Sequence, residues 1–337
     1  MPAFPPKTDI QSPRDYRWKL LIPIWTVWAA PPGRLQRGSK GGGKPMSKIP
    51  QEQVPGVSHR RVGDIVVTAI SDGFVDGGLD VLRNIDQEEA RRILAESFRP
   101  ARRTAINAFL LYSAGRLALV ETGSGNYLGP TAGKVLANIA AAGVDPASIE
   151  TVLLTHMHPD HSAGLSDPAT GRRYFSNAEL VVHENEPPHW FDDAAMAKAS
   201  ERQQRLYFMC AREQITPYKD RTRLFQKGEV FPGVTAIPCH GHTPGHTSFL
   251  VRSGNEQLLI WGDTVHVPEI QTARPEVCME FDTDPDAAAV TRRRVFDMVA
   301  TDRLAITGMH LHFPGFAHLV RCGSGYQLIP EAWEQTL

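Results

Sequence analysis

Nine of the thirteen histidines in this 337-residue chain fall into four short groups. HMHPDH carries His156, His158, Asp160 and His161, and CHGHTPGH carries His240, His242 and His246. WGDTVH carries Asp263 and His266, and GMHLHFPG carries His310 and His312. Each group directly follows a short apolar run that reads as a β-strand, at residues 150–155, 234–238, 257–261 and 304–307. Side chains just past a strand end project from one edge of a sheet. Four strands far apart in sequence are therefore expected to end at a common edge.

The first group has the chemistry of a metal site. In an extended segment, His156 and His158 point to the same side and reach one ion. Pro159 lets the chain turn, so Asp160 and His161 aim at a second point. Imidazole with carboxylate suits zinc and similar borderline ions. Asp263 is placed to bridge two ions, and two ions about 3.5–4 Å apart hold a hydroxide between them. A lone histidine is ordinarily a satisfied core residue, and His59, His183, His189 and His318 are read that way. His240, His246, His266 and His312 read as supports for the ligands, with His266 also a candidate substrate contact. No GxSxG elbow is present. Cys210, Cys239, Cys278 and Cys322 form no CxxC pair and read as mostly buried thiols.

The remaining pattern alternates strands and helices, which argues α/β or α+β. Residues 64–70 read as a strand ended by a turn at 71–73, and 87–98 as a helix with Asp86 as N-cap. Residues 107–112 and 116–120 read as a hairpin, and 131–142 as a helix stopped by Gly143. Residues 193–215 and 284–300 read as helical. Thirty-six basic against 37 acidic residues leave no excess for nucleic acid or an anionic membrane. No apolar run is long enough to span a bilayer. Residues 1–55 read as an N-terminal extension or linker, and 56–337 as a single hydrolase domain. Residues 17–31 are weakly signal-like, interrupted by Pro23, and residues 34–44 are Gly-rich and basic. Met46 is an alternative start. The expected location is cytoplasmic, or periplasmic or secreted if 17–31 acts as an export signal.

The ordered set His156, His158, Asp160, His161, His242, Asp263 and His310 resembles the metallo-β-lactamase fold superfamily over about residues 62–319. That resemblance implies an α+β fold, an αββα sandwich of two face-to-face sheets with helices outside. It implies that His156, His158 and His242 hold one ion, that Asp160, His161 and His310 hold another, and that Asp263 bridges them. Residues 62–76, 262–288 and 308–321 are similar to the branch that contains methyl parathion hydrolase. Lactonases, aryl esterases and phosphotriesterases belong to that branch. The resemblance implies two divalent ions per chain, with Zn2+ the default and Mn, Co or Fe fitting the same ligands. A small ester, lactone or phosphotriester is the expected substrate, attacked by the bridging hydroxide with Asp160 and Asp263 at the reacting centre. A homodimer is a common assembly in that branch. Trp190, Phe191 and Phe208 are expected to line the pocket, with helix core as the competing reading. Glu121 stands where many members have Asp, and its carboxylate is expected to support the loops at the metals. A β-lactamase is disfavoured because those of this fold generally lack the bridging Asp. Thioester hydrolysis in the manner of glyoxalase II is the alternative activity, and a non-catalytic metal-binding protein is the alternative class.

Overall fold

The N-terminal half of the described chain builds one sheet and the C-terminal half builds a second. The structure is a computed structural model that describes residues 50, 51, 53–99 and 101–337. Most of the extension and all of the 17–31 segment lie outside those residues. Residues 52–337 form one unit.

Seven strands make the first sheet in chain order: Val57–Val62, Ile65–Gly77, Arg102–Ser113, Arg116–Val120, Thr151–Leu153, Glu179–His183 and Thr222–Phe225. The first four pair antiparallel and the last four run parallel. The second sheet contains Gly228–Phe231, Val234–Pro238, Thr247–Ser253, Glu256–Ile260, Ala305–Thr307, Ala317–Cys322 and Gly325–Pro330, again in chain order. Its one parallel pair joins Glu256–Ile260 to Ala305–Thr307, across the crossover helix Pro285–Asp302.

Period-2 alternation assigns each strand face to a layer. On Arg102–Ser113, Phe109 and Leu111 face the space between the sheets, where they meet Phe249, Val251, Leu258 and Ile260. Ala108 and Leu110 face the other way, toward Val135 and Ile139 of the helix Val135–Ala141. On the second sheet, Leu259, Ile306 and Leu319 face Val295, Phe296 and Val299 of the long helix. These three apolar layers make the αββα sandwich that the family resemblance implied.

Two expectations need correction. The strand expected to stop at residues 71–73 continues to Gly77 through a β-bulge between Ser71 and Gly73. The bulge buries Asp72, whose carboxylate accepts hydrogen bonds from Ser124 N, Ser124 Oγ and Val135 N. What reads locally as turn chemistry is a helix cap delivered from a neighbouring strand. That contact also sets the start of the helix expected over 131–142, which begins at Val135. The segment 193–215 is helical as expected, in several pieces. It runs as Asp193–Lys198, Glu201–Gln203, a π-helical turn over Gln204–Met209 and Cys210–Ile215. No helix among the described residues is long and apolar enough to cross a membrane.

Candidate metal centre

The four strands that precede the histidine groups end at Leu153, Pro238, Ile260 and Thr307. The loops that follow all converge at one edge of the sandwich. His156 Nε2, His158 Nδ1 and His242 Nε2 stand 3.0, 2.9 and 3.2 Å apart. Asp263 Oδ2 lies 3.6 Å from His156 Nε2 and 3.3 Å from His242 Nε2. In the second set, His161 Nε2 and His310 Nε2 each lie 3.4 Å from Asp160 Oδ2 and 3.2 Å from Asp263 Oδ2. Ligands held about 2.1 Å from a tetrahedral ion stand roughly 3.4 Å apart. Both sets have that spacing, and a single oxygen of Asp263 belongs to both.

Hydrogen bonds behind the rings aim their free nitrogens inward. His310 Nδ1 donates to Ala105 O at 2.7 Å, which leaves Nε2 as the lone-pair nitrogen. His242 Nδ1 donates to Asp282 Oδ1 at 2.6 Å, and Asp282 Oδ2 accepts from Met279 N at 2.8 Å. Such an outer carboxylate fixes the tautomer and raises the basicity of the ligand nitrogen. His246 takes the reverse role. Its Nε2 accepts from the backbone N–H of Asp263 at 2.8 Å, and its Nδ1 faces Cys239 O at 2.8 Å. With no lone pair left to offer, His246 braces the Asp263 loop. Gly262 is required there: it sits at φ +60°, and a Cβ would come 2.4 Å from His246 Nε2.

Two buried carboxylates tie the loops together. Glu186 Oε2 accepts from Met157 N and Trp190 Nε1, and its Oε1 accepts from Thr243 Oγ1 and Gly245 N. It therefore joins the first histidine loop to the second. Glu121, held at φ +64°, accepts from Thr155 N at 2.8 Å and places Oε2 3.6 Å from His161 Nδ1. Sequence reasoning anticipated that Glu121 supports the site. It missed Asp282 and Glu186, whose only signal is their place in loops next to the ligands.

The electrostatics call for cations. Burial opposes the charged form of His161, yet the carboxylates of Asp263, Asp160 and Glu121 hold its pKa well above the usual histidine value. Burial likewise opposes charge on His242, but Asp263 and Asp282 lift it to about 9. Burial, reinforced by the neighbouring imidazoles, keeps His156 and His158 well below the usual value. Asp263 Oδ1 and both ring nitrogens of His161 are buried without a hydrogen-bond partner among the described residues. A donor set this dry, with unspent lone pairs facing inward, fits two divalent ions.

His266 is buried beside these sets. Its Nε2 is 3.0 Å from Asp263 Oδ2 but poorly aligned for a hydrogen bond, and its ring stacks on His310 at 5.1 Å. The expected pocket aromatics separate. Trp190 is buried with its ring 5.2 Å from His158, and Phe208 packs behind it at 5.2 Å. Phe191 is 46% exposed and lies near the Arg212 guanidinium. The rings that flank the ligands are Trp190, Tyr207, 4.9 Å from His158, and Phe281, 5.2 Å from His266. Tyr207 and Phe281 were missed because the π-turn and a loop at residues 280–284 aim them.

Residues 101–320 match the family profile of the Metallo-beta-lactamase superfamily. The chain belongs to this superfamily. A 122-residue stretch is 30% identical to the N-acyl homoserine lactonase AttM of Azorhizobium caulinodans, covering 35% of this chain and 41% of that one. The namesake of Agrobacterium fabrum is 32% identical over 127 residues, 36% of this chain and 43% of the relative. The chain thus spans about two fifths of the length of these curated relatives. Among solved structures, the hydrolase AbOPH of the beta lactamase superfamily is 33% identical, with TM-score 0.79 over 84% of this chain and all of that one. The dizinc quorum-quenching lactonase AidC shares the fold, with TM-score 0.79 and 23% identity over 84% of this chain and all of that one.

Proposed function

We propose that this protein is a dinuclear metal-dependent hydrolase of lactones or aryl esters, with side activity on organophosphate triesters. The observation that carries this reading is the Asp263 oxygen shared by two complete ligand sets at tetrahedral spacing. The similarity to chains named N-acyl homoserine lactonase supports the lactone, and the similarity to a hydrolase of the same superfamily supports hydrolysis. The resemblance to the methyl parathion hydrolase branch supports the triester.

His156, His158, His242 and Asp263 are proposed to hold one ion, and Asp160, His161, His310 and Asp263 the other. When bound, a pair of divalent ions supplies Lewis acidity and a nucleophile active near neutral pH. The chain supplies the rest. Asp282, Ala105 and His246 keep the ligands in one orientation. Trp190, Tyr207 and Phe281 exclude water on the side of His158 and His266 and offer flat surfaces to an acyl or aryl group. Asp160 is partly open to solvent, unlike Asp263, and is the carboxylate placed to pass a proton to the leaving oxygen.

The test is the initial rate of dihydrocoumarin hydrolysis by zinc-loaded protein against a chelator-treated sample. Fast turnover that chelation abolishes and zinc restores is expected. No turnover by protein carrying two zinc ions per chain would refute the reading and move thioesters to the front.

A further inference from the structure

A cavity of about 580 Å³ lies between the helix Pro268–Gln271, the loop that follows His310 and the last two strands of the second sheet. None of its lining residues is among the proposed metal ligands. Small-molecule sites commonly have volumes of about 300–1,000 Å³, apolar walls and a few convergent polar groups. Here Leu311, Phe316, Ala317 and Leu328 give the apolar wall. Arg99, Glu269 and His312 supply the polar groups, and hydrogen bonds join the three. Arg99 Nε and His312 Nε2 donate to the same oxygen, Glu269 Oε1, at 2.6 and 2.7 Å.

Local backbone strain places Arg99. The helix Gln87–Glu96 ends in a Schellman turn, in which Phe98 N donates to Ala95 O and Arg99 N to Leu94 O. That turn needs a left-handed residue, and Phe98 fills the position at φ +58°, where glycine is the usual choice. The Phe98 ring gains no burial in return, being 93% exposed. Strain of this kind clusters at ligand sites. The ion pair that results is incomplete on both sides. Glu269 keeps 12% of its side chain open, and its Oε2 accepts no hydrogen bond from another described residue. Arg99 is 40% exposed, and its Nη1 and Nη2 have no acceptor among the described residues. An open acceptor thus stands beside open donors on one cavity wall. A ligand carboxylate placed there would meet Glu269, and a ligand ammonium would meet Arg99. A neutral amide meets neither charge with its like, because its N–H suits Oε2 and its C=O suits the guanidinium.

We propose that this cavity is a second small-molecule site, one that binds a neutral amide carrying an apolar chain. The amide N–H donates to Glu269 Oε2, its carbonyl accepts from the Arg99 guanidinium, and the chain lies against Leu311, Phe316 and Leu328. The site is independent of the hydrolase reading above.

The test titrates three probes of equal chain length, octanamide, octanoate and octylammonium, into zinc-loaded protein and follows binding by ligand-observed NMR. Ala273 is exposed and lines the cavity, so Ala273→Trp fills it from the surface. The binding that this variant loses is the binding in the cavity. In that fraction octanamide is expected to bind about fivefold or more tightly than either ion. Removing one charge at a time inverts the order. Arg99→Met leaves Glu269 in excess and favours octylammonium, whereas Glu269→Gln leaves Arg99 in excess and favours octanoate. Arg99 is the more exposed of the two, so Arg99→Met carries the test should Glu269→Gln fail to fold. Equal affinity for the three probes, or an order that Arg99→Met leaves unchanged, would overturn the proposal. So would octanamide binding that survives Ala273→Trp, or no octanamide binding up to its solubility limit.

Discussion

Replacing Asp282 by Asn tests whether the outer carboxylate tunes one metal position and not the other. Burial works against its charge, but the hydrogen bond and charge of His242 hold its pKa near 2, so it is a carboxylate throughout the working range. One oxygen accepts from His242 Nδ1 and the other from Met279 N. Asparagine keeps the shape but supplies only one acceptor. With its oxygen toward His242, its amide opposes the Met279 N–H and leaves two donors facing each other, at a cost of about 1–3 kcal/mol. With its amide toward His242, the proton moves to Nε2 and occupies the lone pair that faces His156 and His158. Either outcome is expected to weaken metal binding at the proposed position of His156, His158 and His242 by about 10–100-fold, which is roughly 1.4–2.7 kcal/mol. Titration of the metal-free protein against a chromophoric zinc chelator resolves the two equivalents. One equivalent is expected to weaken while the ion on Asp160, His161 and His310 keeps its affinity. Two equivalents of unchanged affinity would refute the reasoning.

Four further outcomes follow from packing and charge. Trp190→Ala opens a cavity beside His158 and removes one of the two donors to Glu186 Oε2, so it should cost about 3–5 kcal/mol in urea denaturation. Phe191→Ala, at an exposed site, should cost about 1 kcal/mol or less. Asp72→Ala removes the acceptor for three buried donors and should lower stability by about 3 kcal/mol or more, read from the urea midpoint. Burial raises the pKa of Glu269, but His312 and Arg99 outweigh it and hold it at about 2. A folded pKa below the unfolded 4.5 means stability that is present above pH 4.5 and lost as pH falls toward 2. Its size is about 3 kcal/mol. Glu269→Gln should therefore be less stable than wild type at neutral pH, with the gap closing between pH 4.5 and 2.

Much of the candidate site was legible because the chemistry is local and repeated. HMHPDH places two rings on one side of an extended chain and aims Asp160 and His161 elsewhere after a proline, and the structure keeps that division. The cap at Asp86 and the hairpin at 113–116 also follow from nearest neighbours. The pocket wall was not legible. Tyr207 reaches His158 only because Gln204–Met209 winds as a π-turn, which turns its side chains off the α-helical period. Phe281 and Asp282 lie on a loop with no period at all.

The sequence by itself determined the donor types and separated His156 and His158 from Asp160 and His161, because these depend on residue chemistry and strand period, while the sandwich and the complete ligand sets came from the family resemblance. Tertiary structure alone decided which groups hold those donors in place. Asp72 reads as a turn residue and caps a helix from a neighbouring strand. His246 reads as a support for the ligands, and only the fold shows what it supports: it spends both nitrogens on Asp263 N and Cys239 O. The reason is physical: a hydrogen bond is set by the direction and distance of its partner, and those partners come from residues tens to hundreds of positions away.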